Sequence, residues 1–529
     1  MQQLTTRSGF FILSFTACLS FLSCQKENTY TKLAEPVAAE ATSARPPKNK
    51  GEEFYALTAG NELVKYTTGR PLRELSSKPI TNLQSGENIL AIDFRPATGQ
   101  LYGVSNMSRL YIINLNSGRA TAINATPFSP AINGTRVALD FNPTVDRIRL
   151  VTDAGQNLRL HPETGVVAAT DGNINPGSPA VTAVAYTNSF AGASSTILYD
   201  IDAASNSLYK QNPPNNGTLE LVGALGVEIS GEGGFDISPD NSLALATLFG
   251  RGDEDDDSEE SNGNKYRFYY IDLQTGEAKN AGKTDRQIIG LAIPTNPVAY
   301  AVSETNNLLI FNPTMATTTI NKPITGLQMG ENILGIDMRP ATGQLFALGS
   351  TSRLYTINTA NGAATLVGSG PFKPALNGTS FGLDFNPTVD RIRLVSNAGQ
   401  NLRLHPVLGT VAATDMNLNP GTPSVDAAAY TNNFAGATAT TLYDIDFAAD
   451  KLYIQNPPNN GTLVEVGPLG VNVNAANGFD IGGTSATAYA VLTTASGHGF
   501  YSINLTTGAA AKLSSFPVKV NGFAIGLGF

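Results

Sequence analysis

Apolar and polar residues alternate along this chain in short runs, each closed by a turn rich in Gly, Pro, Asn or Thr. That period-two pattern is the signature of strands, not of helices. One stretch is especially legible. Residues 89–94 (ILAIDF) alternate as a strand, and a Pro-Ala-Thr-Gly turn follows. Residues 101–104 and 109–113 form two more strands, and Asn116-Ser117-Gly118 turns into a last one at 120–123. This is a four-stranded antiparallel meander. Similar units begin near Val137, Val184, Phe235 and Ile289, and five of them at roughly 45–50 residues each have the size of β-propeller blades.

The whole set is then written a second time. Residues 141–151 (FNPTVDRIRLV) recur unchanged at 385–395, an offset of 385 − 141 = 244. The same offset relates Gly86-Glu87-Asn88 to Gly330-Glu331-Asn332, and Gly234-Phe235-Asp236 to Gly478-Phe479-Asp480. Near the end it drops to 501 − 269 = 232, so the first copy carries 244 − 232 = 12 extra residues at about 251–263. The segment starting at Phe54 lacks an inner strand before it, while the chain ends in residues 522–527, which match 288–293 at the end of copy one. A terminal strand that completes the first sheet would remove exposed edges. The expected fold is therefore all-β, as two tandem five-bladed β-propellers, with one ten-bladed ring as the alternative. The short joint 294–297 reads as a turn within a blade, which favours the single ring.

The N-terminus reads as an address. Arg7 precedes an apolar run that ends in Phe21-Leu22-Ser23-Cys24, the layout of a secretory signal with a lipobox. The expected organisation is a signal peptide at 1–23, lipidation at Cys24, a flexible tether at 24–50, one module at 51–294 and a second at 295–529. Both cysteines, Cys18 and Cys24, lie in this leader, so the body has neither a disulfide nor a Cys-ligated zinc. Charged residues just after Cys24 look like the surface-export signal of Bacteroidota lipoproteins. The expected location is the outer membrane of the cell envelope, reached through the lipid anchor.

Composition narrows the function. The 529 residues carry 34 basic and 43 acidic side chains, a net charge of −9, which argues against nucleic acid as a partner. Trp is absent, which excludes the Trp-Asp propeller repeat. The acidic insertion near 251–263 reads as a solvated hairpin tip.

The long motifs resemble the bacterial secreted domain-of-unknown-function 4394 family. Its signature segments stand here at 93–103 (DFRPATGQLYG), 141–151, 155–162 (GQNLRLHP) and 186–193, and again in copy two. The resemblance spans both modules. It implies that a single module can close alone, and it supplies no activity.

The densest polar run holds Asp140, Asp146, Arg147, Arg149, Arg159 and His161, repeated as Asp384, Asp390, Arg391, Arg393, Arg403 and His405. Alternate strand residues share a face, so these side chains could form an Arg-rich cup for a carboxylate, phosphate or sugar. The competing expectation is Arg–Asp bridging between blades, with the histidines capping turns beside proline. Asp93, Asp236, Asp337 and Asp480 occupy comparable inner-strand positions and could ring a channel, where a Ca2+ is conceivable; otherwise no cofactor is expected. Asp200 and Asp202, with Asp444 and Asp446, lie on one strand face. Neither a nucleophile elbow nor a P-loop occurs. The expected function is an envelope-anchored binding or scaffold module for a glycan or protein partner. The alternatives are a glycan lyase or hydrolase using channel-facing Asp, Arg and His, and a purely structural envelope protein. Whether those side chains line an open pocket or pair with one another separates these readings.

Overall fold

The computed structural model describes residues 51–69, 72–250, 265–315 and 318–529. The signal, the tether, Cys24 and the acidic insertion lie outside the described residues. Forty strands form ten four-stranded antiparallel sheets, with three single-turn 3-10 segments and no α-helix among the described residues. None of the described residues forms a helix long and apolar enough to cross a membrane.

Sheets are numbered here I to V in copy one and I′ to V′ in copy two. The innermost strands of copy one are Ile288–Ala292 (I), Ile89–Phe94 (II), Val137–Asn142 (III), Val181–Tyr186 (IV) and Ile229–Ile237 (V). Their counterparts are Val520–Ile525 (I′), Ile333–Arg339 (II′), Phe381–Asn386 (III′), Val425–Tyr430 (IV′) and Ala475–Ile481 (V′). In sheets II to V and II′ to V′ the four strands follow one another in chain order. Sheets I and I′ differ: the last strand of each copy pairs with that copy's first strand, Ile288–Ala292 with Glu53–Thr58 and Val520–Ile525 with Ala299–Ser303. The joint 294–297 therefore links sheet I to sheet I′. It does not turn within one sheet, which corrects the reading made from its length, because a strand paired to the start of its own copy must leave that sheet to begin the next.

The inner strand of II lies beside that of III, III beside IV, IV beside V, V beside I, and I beside II; copy two repeats the series. Packing follows the same order. One apolar cluster joins I and II around Leu57, Ile92 and Phe94, another joins II and III around Tyr102, Leu139 and Phe141, and a third joins III and IV around Val151, Val184 and Tyr186. Phe235 and Leu248 belong to the IV–V cluster, and Phe54, Leu245 and Phe268 to the V–I cluster. Inner strands are covered on both faces, so Val181–Tyr186 is buried at every residue and reads as an apolar run broken only by Thr182. Outermost strands have one wet face, and Arg73–Pro79 is largely exposed. Inner backbones come close together at Gly234, where a Cβ would lie 2.2 Å from Leu291 N, so only glycine fits there.

Deleting residues 520–529 is expected to strip Ala299–Ser303 of its inner neighbour, leaving it paired to Asn307–Phe311 alone, and to remove Phe523 from its cluster with Phe311, Phe500 and Phe516. Losing a buried Phe alone costs about 3–5 kcal/mol, which for a cooperative unit the size of one copy lowers the melting temperature by roughly 6–10 °C. Calorimetry of the truncated and intact chains checks this, and equal melts would refute it.

Candidate functional site

Three inner strands of each copy carry an Asp at the same register: Asp93, Asp140 and Asp236, then Asp337, Asp384 and Asp480. Sheets I and IV place Ala292 and Ala185 there. All six acids are buried, and within each triad one carboxylate oxygen per residue lies within 4.8 Å of the others. Each side chain also reaches the neighbouring sheet. Asp93 accepts from Phe141 N at 2.8 Å, Asp140 from Tyr186 N at 3.2 Å and Asp236 from Ile293 N at 2.5 Å. In copy two Asp337, Asp384 and Asp480 accept from Phe385, Tyr430 and Ile525 N at 2.6, 3.0 and 2.6 Å. These contacts lock II to III, III to IV and V to I.

Burial, in Asp93 and Asp337 joined by a neighbouring carboxylate, pushes their carboxyls well above the ordinary range; burial brings Asp236 and Asp480 up to about 7. The oxygen spacing also matches the span across a hard cation with oxygen ligands at roughly 2.3–2.6 Å, so these are the described residues that could hold one. Sequence reasoning put Asp93 and Asp236 together but assigned Asp140 to the arginine run. The shared apolar-Asp-apolar triplets Ile92-Asp93-Phe94, Leu139-Asp140-Phe141 and Phe235-Asp236-Ile237 were the available signal.

The arginine run resolves into two buried networks. Asp146, held at a φ of 51°, takes both arms of Arg95, at 2.9 and 2.5 Å. Arg95 also donates to Glu163 at 2.8 Å and to Gly343 O of copy two at 3.0 Å. Arg147 bonds the carbonyls of Val145 and Asp146 and does not reach a carboxylate. His161 Nδ1 accepts from Glu163 N, and burial together with Arg147 and Arg95 pushes its imidazole down to about 4.

In the second network Arg149 and Arg159 converge on Asp171, at 2.6 and 2.8 Å, and Arg149 crosses to Asn215 of sheet IV at 2.8 Å. Arg393, Arg403, Asp415 and Asn459 repeat it with the same partners. In copy two Arg339 grips Asp390, Arg391 bonds main-chain carbonyls, and His405 accepts from Val407 and Leu408 N. The sequence reading missed Arg95, Asp171 and Asp415. The repeated Ala-Ala-Thr-Asp at 168–171 and 412–415 was the trace they left.

Asp200 and Asp444 are of another kind. Both are fully buried, and neither oxygen of either has a hydrogen-bond partner. Burial pushes each carboxyl up to about 8, partly offset by Arg149 or Arg393. Gln211 and Gln455 present an equally orphaned Oε1. Gln211 lies two positions beyond Tyr209, which stands opposite Asp200, so acid and amide share a face of sheet IV.

A shallow cavity, partly open to solvent, lies where the copies meet. Leu115, Arg119 and Thr121 of copy one face Phe434, Thr484 and Leu527 of copy two across it. Its lining contains no carboxylate and no imidazole. A smaller space lies at another junction between the copies, beside Tyr300, Ala191 and Thr359.

Residues 62–292 and 300–525 each match the family described as Domain of unknown function (DUF4394). A comparison with curated proteins found no match. Among solved structures the chain is similar to PorZ, titled an essential bacterial surface component of the type-IX secretion system of Porphyromonas gingivalis. There the identity is 12% and the TM-score 0.25, over 88% of this chain and 58% of that one. It is also similar to the extracellular domain of the putative one-component system BT4673 from B. thetaiotaomicron, at 10% identity and a TM-score of 0.26, over 91% of this chain and 74% of that one.

Proposed function

The chain belongs to the DUF4394 family, and we propose that it is an envelope-anchored binding module built as two five-bladed β-propellers. The order in which the inner strands neighbour one another within each copy supports the five-bladed reading. The observation that carries the binding reading is the cavity between the copies. It offers a guanidinium, hydroxyls and an aromatic ring, and it lacks any group able to act as general acid or base. The acids and arginines of the polar run are meanwhile engaged with one another or with backbone: Asp146 with Arg95, Asp171 with Arg149 and Arg159, Asp140 with Tyr186 N. Such pairing favours a rigid scaffold over a catalytic pocket. Cys24 is the proposed lipid attachment and 24–50 the tether, which together hold the module at the outer membrane. The partner is a glycan.

A glycan-array screen of the full exported chain carrying Cys24→Ser tests the binding reading, with pull-down from envelope extract beside it. Saccharide spots above background are expected. An array blank for every saccharide overturns it, and a protein recovered in the pull-down would then replace the glycan as partner. Metabolic labelling with an alkyne fatty acid tests the anchor: the natural chain takes up label and Cys24→Ser does not.

A further inference from the structure

We propose that the cavity between the copies takes a sugar residue bearing a carboxylate, with Arg119 as its anion partner; this rests on the binding reading above and specifies its ligand. Arg119 is exposed at the cavity wall, and its guanidinium makes no hydrogen bond or ion pair among the described residues. By contrast Arg95, Arg149 and Arg159 are each committed to a carboxylate. The turn of copy two that carries Phe434 lies directly over Arg119. A Cβ built on Gly436 would stand 3.5 Å from Arg119 Nε and 3.6 Å from Thr121 Oγ1, ordinary contact distances, so the loop lies alongside the guanidinium.

The surrounding chemistry selects the class of ligand. An unpaired guanidinium offers a planar fork that suits a carboxylate. No acid in the lining competes for it. Thr121, Thr484 and Asn114 supply hydroxyl and amide groups for the hydroxyls of a sugar, while half-buried Phe434 with Leu115 and Leu527 supplies an apolar surface for its C–H face. The charge is also specific to one copy. The residue matching Arg119 at the 244-residue offset is Ala363, so the duplication does not explain it.

Isothermal titration of the full chain carrying Cys24→Ser, with digalacturonate and with its carboxyl-reduced neutral counterpart, tests the proposal. The acidic sugar is expected to bind at least about tenfold more tightly, the effect of one well-placed charged pair. Arg119→Ala is expected to erase that preference and Arg119→Lys to restore part of it. Phe434→Ala is expected to weaken both ligands alike. Because Arg119 is exposed and unpaired, unchanged melting temperatures will show that the variants are folded. Equal affinity for the two sugars, or an acid preference untouched in Arg119→Ala, overturns the proposal and leaves the binding reading standing. Binding of neither sugar also overturns it, and the array then decides the broader reading on its own.

Discussion

Raising the pH from 5.5 to 8 is expected to lower the melting temperature, and Asp200→Asn combined with Asp444→Asn is expected to recover part of the loss, the Asp triads accounting for the rest. Both carboxyls are fully buried without a partner and titrate near 8 in the folded chain, against 3.8 ordinarily. Between those values the folded state holds protons that the unfolded state has released. Stability therefore falls as pH rises through this window, and it is fully retained only below about 4. The slope approaches about 1.4 kcal/mol per pH unit for each group, so the pair costs on the order of 6 kcal/mol between pH 5.5 and 8. Asparagine has the shape of the neutral acid at every pH and brings a donor for the orphaned Gln211 or Gln455 oxygen. His161, held near 4, acts in the opposite sense and removes stability as pH falls below about 6.5; Asp171 and Asp415, lowered chiefly by their arginine hydrogen bonds against the effect of burial, do so further down. Two carboxyls outweigh one imidazole, so the maximum lies near pH 4, where the lowered Asp171 and Asp415 begin to lose their contribution. Calorimetry across pH 4–9 checks the curve. A melt that is flat or rising between 5.5 and 8 would contradict it, as would a double variant less stable than the natural chain at pH 8. Millimolar Ca2+ added at pH 8 asks what neutralises the Asp triads: a bound cation raises the melt there, whereas shared protons leave it unchanged.

Arg95→Met should destabilise the chain by about 3–5 kcal/mol, the usual consequence of stripping one partner from a buried ion pair. The Arg95 side chain is 0% exposed, and it neutralises Asp146 and Glu163 together. Methionine fills the space and leaves two carboxylates facing a neutral imidazole. The copy-two equivalent is the internal control. Arg339 and Asp390 are 13% and 35% exposed, and Val407 stands where Glu163 does. Arg339→Met should accordingly cost about 1 kcal/mol. Urea unfolding of the two variants decides, and equal losses would show that burial is not what sets the strength of the pair.

The fold was legible because each strand announces itself locally. Residues 89–94 alternate, turn and alternate again without help from the rest of the chain, and duplication supplied the register. The partners of the polar residues were not legible in that way. Arg95 meets Asp146, 51 residues on, because two sheets pack face to face, and no local pattern encodes such a pairing. Asp171 and Asp415 stand just past the ends of strands, at positions that read as turn residues. Asp140 was grouped with the arginines beside it in sequence, although its carboxylate lies with Asp93 and Asp236, which are distant in the chain. The cavity was the least accessible feature, since Arg119 and Phe434 belong to different copies and neither stands out alone.

The pairing of Ile288–Ala292 with Glu53–Thr58 bears on how the molecule is made. A nascent chain can finish its first half once Ala292 has emerged, with more than two hundred residues still to be synthesised. The second half has no such early completion, because Ala299–Ser303 must wait for Val520–Ile525. A ribosome that stalls anywhere between would release one finished half joined to another with an unsatisfied strand, a form ready to pair with its own kind. Premature stops late in the message should thus be the most aggregation-prone products of this gene.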